Sequence, residues 1–298
     1  MALVEFNFES QYLGNNHCVG IILPDKPRGI TPKDFYGSGK KYPVIWLLHG
    51  TYGDYSDWIR KSNIELYACE NDIIIVMPSA MNSDYSNWPN FGTGYHMWDY
   101  LTEELMPLVY NWFPASAKRE DNYVAGLSMG GRGALTLALQ HPDKFIASAV
   151  LSSSGRNYDF LKPHAKTNGV EFQRKVLSGE LKFEEAAAAI NIAPRQLNAI
   201  AKYPTVGDFL ASQENTFDRF EEAVKAKKLI KMYCAIGTKD NLYGNYVKFK
   251  EHAAALKADV LFEEIEGYAH EWRFWDITIE KAISFFGLKK AKADGNPY

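Results

Sequence analysis

Ser128 stands at the centre of Gly126-Leu127-Ser128-Met129-Gly130, a G-x-S-x-G flanked by further small residues. The residues before it, Tyr123 to Ala125, read as the end of a short buried strand. Those after Gly131 read as a helix with an apolar stripe. A sharp strand-to-helix turn strains the central residue and admits only small neighbours. It also lifts the hydroxyl to the sheet edge, beside a helix N-terminus whose free N–H groups favour negative charge. A serine hydroxyl is a weak nucleophile at neutral pH and needs a base within hydrogen-bond reach.

In an open parallel sheet, ligands bind beyond the carboxyl ends of the strands, so the partners of Ser128 are sought just after strands. Asp240 follows "MYCAIGTK" and His270 follows "LFEEIEGYA", which gives the chain order Ser, Asp, His. As a neutral imidazole, His270 can take the serine proton and return it to a leaving group. Asp240 would hold the imidazole tautomer and stabilise the imidazolium. Asp159, after "ASAVLSSS", is an alternative acid. The other histidines compete poorly as bases. His252 is mid-helix, His164 is away from any strand end, His141 ends a helix, and His96 reads as polar surface. A tetrahedral oxyanion needs two donors. Met129 N–H is one; the other belongs to the loop "LLHGTYGD", with Thr51 N–H first and Tyr52 second, and His49 ordering the loop. The loop Asp84 to Trp98 is rich in aromatics. Trp88, Phe91, Tyr95 and Trp98 are the candidate substrate-binding residues, against the alternative of a self-packed loop.

These residues must be positioned by strands alternating with helices. Strand patterns run over 17–23, 42–50, 72–78, 122–126, 145–155, 229–237 and 259–267. Helical patterns lie over 57–70, 97–113, 132–141, 245–256 and 272–287, which predicts a mostly parallel sheet wrapped by helices. No linker divides the chain, so 1–298 reads as a single domain. Residues 156–227 form a helical insertion that either caps the site or mediates subunit contacts; its patterns include "FEEAAAAINI". The tail "KKAKADGNPY" reads as a frayed end.

The bulk properties are those of an ordinary globular chain. Of 298 residues, 46% are hydrophobic and 23% charged, and the net charge of -3 gives no reason to expect nucleic acid or an anionic membrane as partner. No apolar run approaches the roughly 18 residues of a membrane helix. The N-terminus has no basic leader pattern. Cys18, Cys69 and Cys234 are odd in number and far apart, which suits free thiols in a reducing cytoplasm. No Cys/His pair has metal-ligand spacing, and no P-loop or G-x-G-x-x-G is present, so neither a metal nor a nucleotide cofactor is expected.

The stretches "YPVIWLLHGTYGDYSDW", "AGLSMGGRGAL", "GTKDNLY" and "GYAHEWRFWDITIEKAISFF" resemble the esterase D-like branch of α/β-hydrolases. The likeness is greatest to bacterial tributyrin esterases, with feruloyl esterases, S-formylglutathione hydrolases and mycolyltransferases as relatives. It runs from about Val19 to Phe286, apart from the insertion. The resemblance implies the α/β-hydrolase fold, a triad of Ser128, Asp240 and His270, and an oxyanion hole at Thr51 and Met129. It also implies cofactor-free hydrolysis of short-chain acyl esters. A feruloyl esterase is the alternative. S-formylglutathione hydrolases usually carry a cysteine after the oxyanion turn, where this chain has "TYGDYS". Acyl transfer to an alcohol would use the same acyl-enzyme. A non-catalytic binding module would need none of the three residues. The partner expected is a small ester, and a homo-oligomer is compatible with the sequence.

Overall fold

The computed structural model describes residues 2–91, 94–183 and 194–288. The segment "FEEAAAAINI", apart from Phe183, and the C-terminal tail from Lys289 lie outside them. Eight strands form one sheet in the order β1-β2-β4-β3-β7-β8-β9-β10, and a two-stranded ribbon lies apart. In chain order the strands are β1 Ala2–Ser10, β2 Asn15–Leu23, β3 Val44–Leu48, β4 Ile74–Pro78, the ribbon strands β5 Asn87–Trp88 and β6 Tyr95–His96, β7 Asn122–Leu127, β8 Ala147–Leu151, β9 Lys231–Gly237 and β10 Val260–Ile265. From β4 to β10 the neighbours in the sheet are parallel; β1 and β2 pair antiparallel at one edge.

The central strands are buried on both faces; β3 and β4 are wholly apolar, while β7 and β8 each bury one polar residue, Asn122 and Ser148. Side chains alternate across a strand, and β3 shows the result. Val44, Trp46 and Leu48 enter one core with Val124, Leu135 and Phe249. Ile45 and Leu47 enter the other with Trp58, Phe274 and Ile283. The helix Met129–Gln140 lies on the first face and Trp272–Phe285 on the second.

Three elements depart from the sequence expectation. β1 is a full strand; the alternation Val4, Phe6, Phe8 against Glu5, Asn7, Glu9 is its period-two signal. The helix expected over 57–70 is two pieces, Asp57–Lys61 and Ile64–Asn71, because Ser62 is extended. The helix over 97–113 widens to a π segment at Tyr100–Leu105, where Met106 N–H reaches back to Leu101 O. Pro107 follows immediately and has no N–H to close a normal turn.

Between β8 and β9 the chain runs through a 3-10 turn at Asp159–His164 and helices Gly169–Leu177, Pro194–Ala201, Val206–Ala211 and Thr216–Lys225. Thr205 and Asp208 cap the third of these helices reciprocally. Leu161, Phe172, Leu197, Ile200 and Phe209 make a separate small core, with Trp88 packed against it.

Candidate active site

Ser128 sits between β7 and the helix Met129–Gln140 with φ 53° and ψ -114°, a conformation costly for a side-chain-bearing residue. The turn holds because its neighbours are bare. A Cβ on Gly126 would meet Gly130 O at 2.4 Å, and one on Gly130 would meet Leu48 O at the same distance. Ser128 N–H donates to Leu151 O at 2.8 Å, which ties the turn to β8.

The loops after β9 and β10 are tied to each other. Lys239 N–H donates to Tyr268 O at 2.9 Å, and Gly267 N–H to Thr238 Oγ1 at 3.0 Å. This brings Asp240 and His270 to the end of the sheet where Ser128 stands. The Ser128 hydroxyl lies 2.9 Å from His270 Nε2, and His270 Nδ1 lies 2.8 Å from Asp240 Oδ2. The Asp240 side chain is fully buried and that of His270 is 30% exposed. Burial opposes the charge on Asp240. Hydrogen bonds from His270, from Leu242 N–H and from the Ser152 hydroxyl outweigh it and hold the carboxyl below its ordinary value. Trp275 donates its indole N–H to Ser152 Oγ at 2.9 Å, and its ring stands edge-on to His270. With Asp240 accepting at Nδ1, His270 presents a bare Nε2 to the serine proton, the geometry of a general base.

The other candidate acid and bases lie elsewhere. Asp159 is exposed and paired with Lys162. His252 stacks on Phe217, His141 on Trp98, and His164 packs against Phe172. His96 lies near Asp99 at the ribbon.

A Cβ on Gly50 would lie 3.5 Å from that of Ser128, so the turn after β3 abuts Ser128. His49 is buried beneath it; burial pushes its pKa below the ordinary value and keeps it neutral. Its Nδ1 donates to Gly50 O at 2.7 Å and its Nε2 accepts from Ala80 N–H at 2.8 Å. Tyr85 donates its hydroxyl to His49 O at 3.0 Å from the other side. Tyr52 N–H is spent on Asn82 Oδ1. The N–H groups of Thr51 and Met129 make no hydrogen bond to the described residues and remain available to a ligand.

A cavity of about 600 Å³ adjoins this turn, a size suited to a small ligand. Thr51, Trp88, Phe91, Tyr95, Arg156 and Arg195 are among its walls; Ser128, Asp240 and His270 are not, and meet it through Thr51 and Leu242. Trp98 departs from the sequence expectation. Its ring stacks on His141 at 5.3 Å and packs against the core, so only three of the four aromatic candidates reach the cavity. The helical ribbon segment that starts at Met97 turns Trp98 inward, a placement that loop composition does not encode.

Sequence reasoning passed over the charged wall of the cavity. Asp84 is buried, accepts an ion pair from Arg132, and lies 3.2 Å from Arg195 Nε. Arg195 Nη1 donates to Thr51 Oγ1 at 2.7 Å. Residues 84, 132 and 195 are far apart in the chain and share no motif; a charged residue in the small-residue run after Ser128 was the one available signal. Among the described residues no cluster of His, Cys, Asp or Glu is arranged to hold a metal, and no helix is long and apolar enough to cross a membrane.

Comparison with known proteins bears on the whole chain. The family described as "Putative esterase" matches residues 10–284. An acetyl esterase of Caldicellulosiruptor saccharolyticus is 27% identical over 288 residues, covering 96% of this chain and 98% of its own. Among solved structures, fluorophosphonate-binding serine hydrolase F of Staphylococcus aureus superposes with a TM-score of 0.71 at 24% identity, over 96% of this chain and 98% of that one. An S-formylglutathione hydrolase from the same organism gives 0.69 at 25% identity, with the same coverage.

Proposed function

The chain belongs to the Esterase family, carboxylic ester hydrolases of α/β-hydrolase fold that act through a serine, and from that premise we propose that it hydrolyses short-chain acyl esters by way of Ser128, His270 and Asp240. One observation carries the reading. The hydrogen-bonded series Asp240–His270–Ser128 ends beside two N–H groups, of Thr51 and Met129, that no described residue takes up.

His270 accepts the Ser128 proton as Oγ attacks the ester carbonyl, and Asp240 stabilises the imidazolium. The oxyanion of the tetrahedral intermediate lies against Met129 N–H and Thr51 N–H. Collapse expels the alcohol, protonated by His270, and leaves the acyl group on Ser128. Water then attacks this acyl-enzyme with His270 again as base, which frees the acid. Cys18, Cys69 and Cys234 are free thiols, which supports a cytoplasmic setting.

A feruloyl esterase is the second reading, favoured by the aromatic wall of Trp88, Phe91 and Tyr95. The deciding experiment is kcat/KM on phenyl butyrate and on methyl ferulate, with Ser128→Ala as blank. Butyrate faster by tenfold or more supports the short-acyl reading, and ferulate faster supports the second. Turnover by Ser128→Ala near the wild-type rate would sink the mechanism.

A further inference from the structure

Two arginines, Arg156 and Arg195, line the cavity beside Thr51, and the buried charges behind them, Asp84 and Arg132, do not cancel theirs. Arg132 and Arg195 both lean on the single carboxylate of Asp84. Arg156 shares the same cavity wall as Arg195 and has no ion pair to the described residues. Its Nη1 is removed from solvent and makes no hydrogen bond to them. Glu214, whose field also reaches Arg132, is paired with Lys202. Lys202 is itself taken up by Glu214, Ser86 Oγ and the face of Trp88. Arginine stays protonated in proteins. Three guanidinium groups around one carboxylate therefore leave two positive charges in excess.

A guanidinium removed from water without a partner is costly. Its planar fork matches an oxygen anion, which it can hold through two parallel hydrogen bonds. The location matters as much as the charge. Arg195 is one hydrogen bond from the side chain of Thr51, whose N–H is the proposed oxyanion donor. An anion held here would be a short spacer away from the scissile carbonyl.

We propose that this cavity is an anion subsite, in which Arg156 and Arg195 hold a carboxylate or phosphate carried by the ester substrate. The substrate class is thus a charged ester, either a half-ester of a dicarboxylic acid or an acyl ester of an anionic alcohol. The inference rests on the esterase reading for its setting, and the test separates the two.

The experiment compares matched esters, each rate divided by the ester's own hydroxide-catalysed rate. The alcohol-side arms are 3-acetoxybenzoate and 3-acetoxyphenyl phosphate, each against neutral 3-acetoxybenzamide. The acyl-side arm is monophenyl adipate against methyl phenyl adipate. The proposal expects kcat/KM for the anion to exceed that for the neutral partner by about tenfold or more in at least one arm. The responding arm identifies carboxylate or phosphate, and acyl or alcohol side. Arg156→Gln should bring that ratio close to one, and Arg156→Lys should keep part of it. Hydrolysis of the neutral esters with no anion preference in any arm overturns the subsite and leaves the esterase reading standing. A preference that survives Arg156→Gln also overturns it. Calorimetric binding of 3-acetoxybenzoate and 3-acetoxybenzamide to Ser128→Ala provides a readout that needs no turnover. Tighter, Arg156-dependent binding of the benzoate supports the subsite even where no ester is cleaved; equal affinity overturns it.

Discussion

Asp240→Asn is the sharpest test of the proposed chemistry. The substitution keeps the shape of the side chain and removes its charge. Leu242 N–H can still bond to the retained oxygen, so the loop keeps its anchor. The effect falls on His270, whose Nδ1 lies 2.8 Å from the carboxylate. With the charge centres of imidazolium and carboxylate about 4 Å apart and an effective dielectric near 20, their attraction is worth about 4 kcal/mol. That attraction exists only once His270 has taken the serine proton, so it lowers the barrier and not the ground state. Its loss corresponds to a fall in kcat of about 10³-fold with KM little changed. The amide can also turn its NH2 toward Nδ1, which moves the imidazole proton to Nε2 and deepens the loss. The assay is steady-state hydrolysis of phenyl butyrate, with circular dichroism to confirm folding. A folded Asp240→Asn enzyme within tenfold of wild type would refute the argument, and loss in Asp159→Asn instead would reassign the acid.

Three further outcomes concern stability. Ser128→Gly should raise the free energy of unfolding by roughly 1 kcal/mol while abolishing turnover, because glycine adopts the φ of 53° without strain; a thermal midpoint unchanged or lower would count against strain at the turn. Asp84 is held below its ordinary carboxyl value: burial opposes its charge, but Arg132 and then Arg195 outweigh it. Asp240 is depressed as well. A depressed carboxylate contributes stability in full above its unfolded value of about 3.8, and the contribution is lost as pH falls through the lower folded value. Unfolding by urea should therefore become markedly easier below about pH 4, and Asp84→Asn should cost about 3–5 kcal/mol at neutral pH by stranding buried Arg132. A neutral-pH midpoint for Asp84→Asn matching wild type would show that the arginines find other partners.

Much of this protein is local in origin. The strands β3, β4, β7, β8 and β9 are predominantly apolar, a pattern set by burial on both faces, and the structure keeps them all. The turn at Ser128 is equally local, since only bare neighbours permit its backbone. Because the strands are parallel, their carboxyl ends share one side, and residue order alone points to Asp240 and His270 at that side. β1 carries its alternation openly, yet with one exposed polar face it offers no continuous apolar run of the kind that marks the other strands. Other features depend on contacts between distant segments and leave no periodic trace. Asn82 accepts the N–H of Tyr52 and so leaves Thr51 free, a choice between neighbours that the turn sequence does not make. Trp98 and Trp88 belong to one aromatic loop, but packing sends the first to His141 and the second to the cavity. Arg132 comes from the helix after Ser128, and Arg156 and Arg195 come from the segment between β8 and β9; they meet only when the chain closes around Asp84. The sequence by itself determined the turn at Ser128, the order of its candidate partners and the sheet that carries them, because backbone sterics and burial act within a few residues. Only the tertiary structure decided which donor is free, which aromatics line the cavity and where positive charge collects, because those follow from side chains far apart in the chain competing for the same space and the same partners.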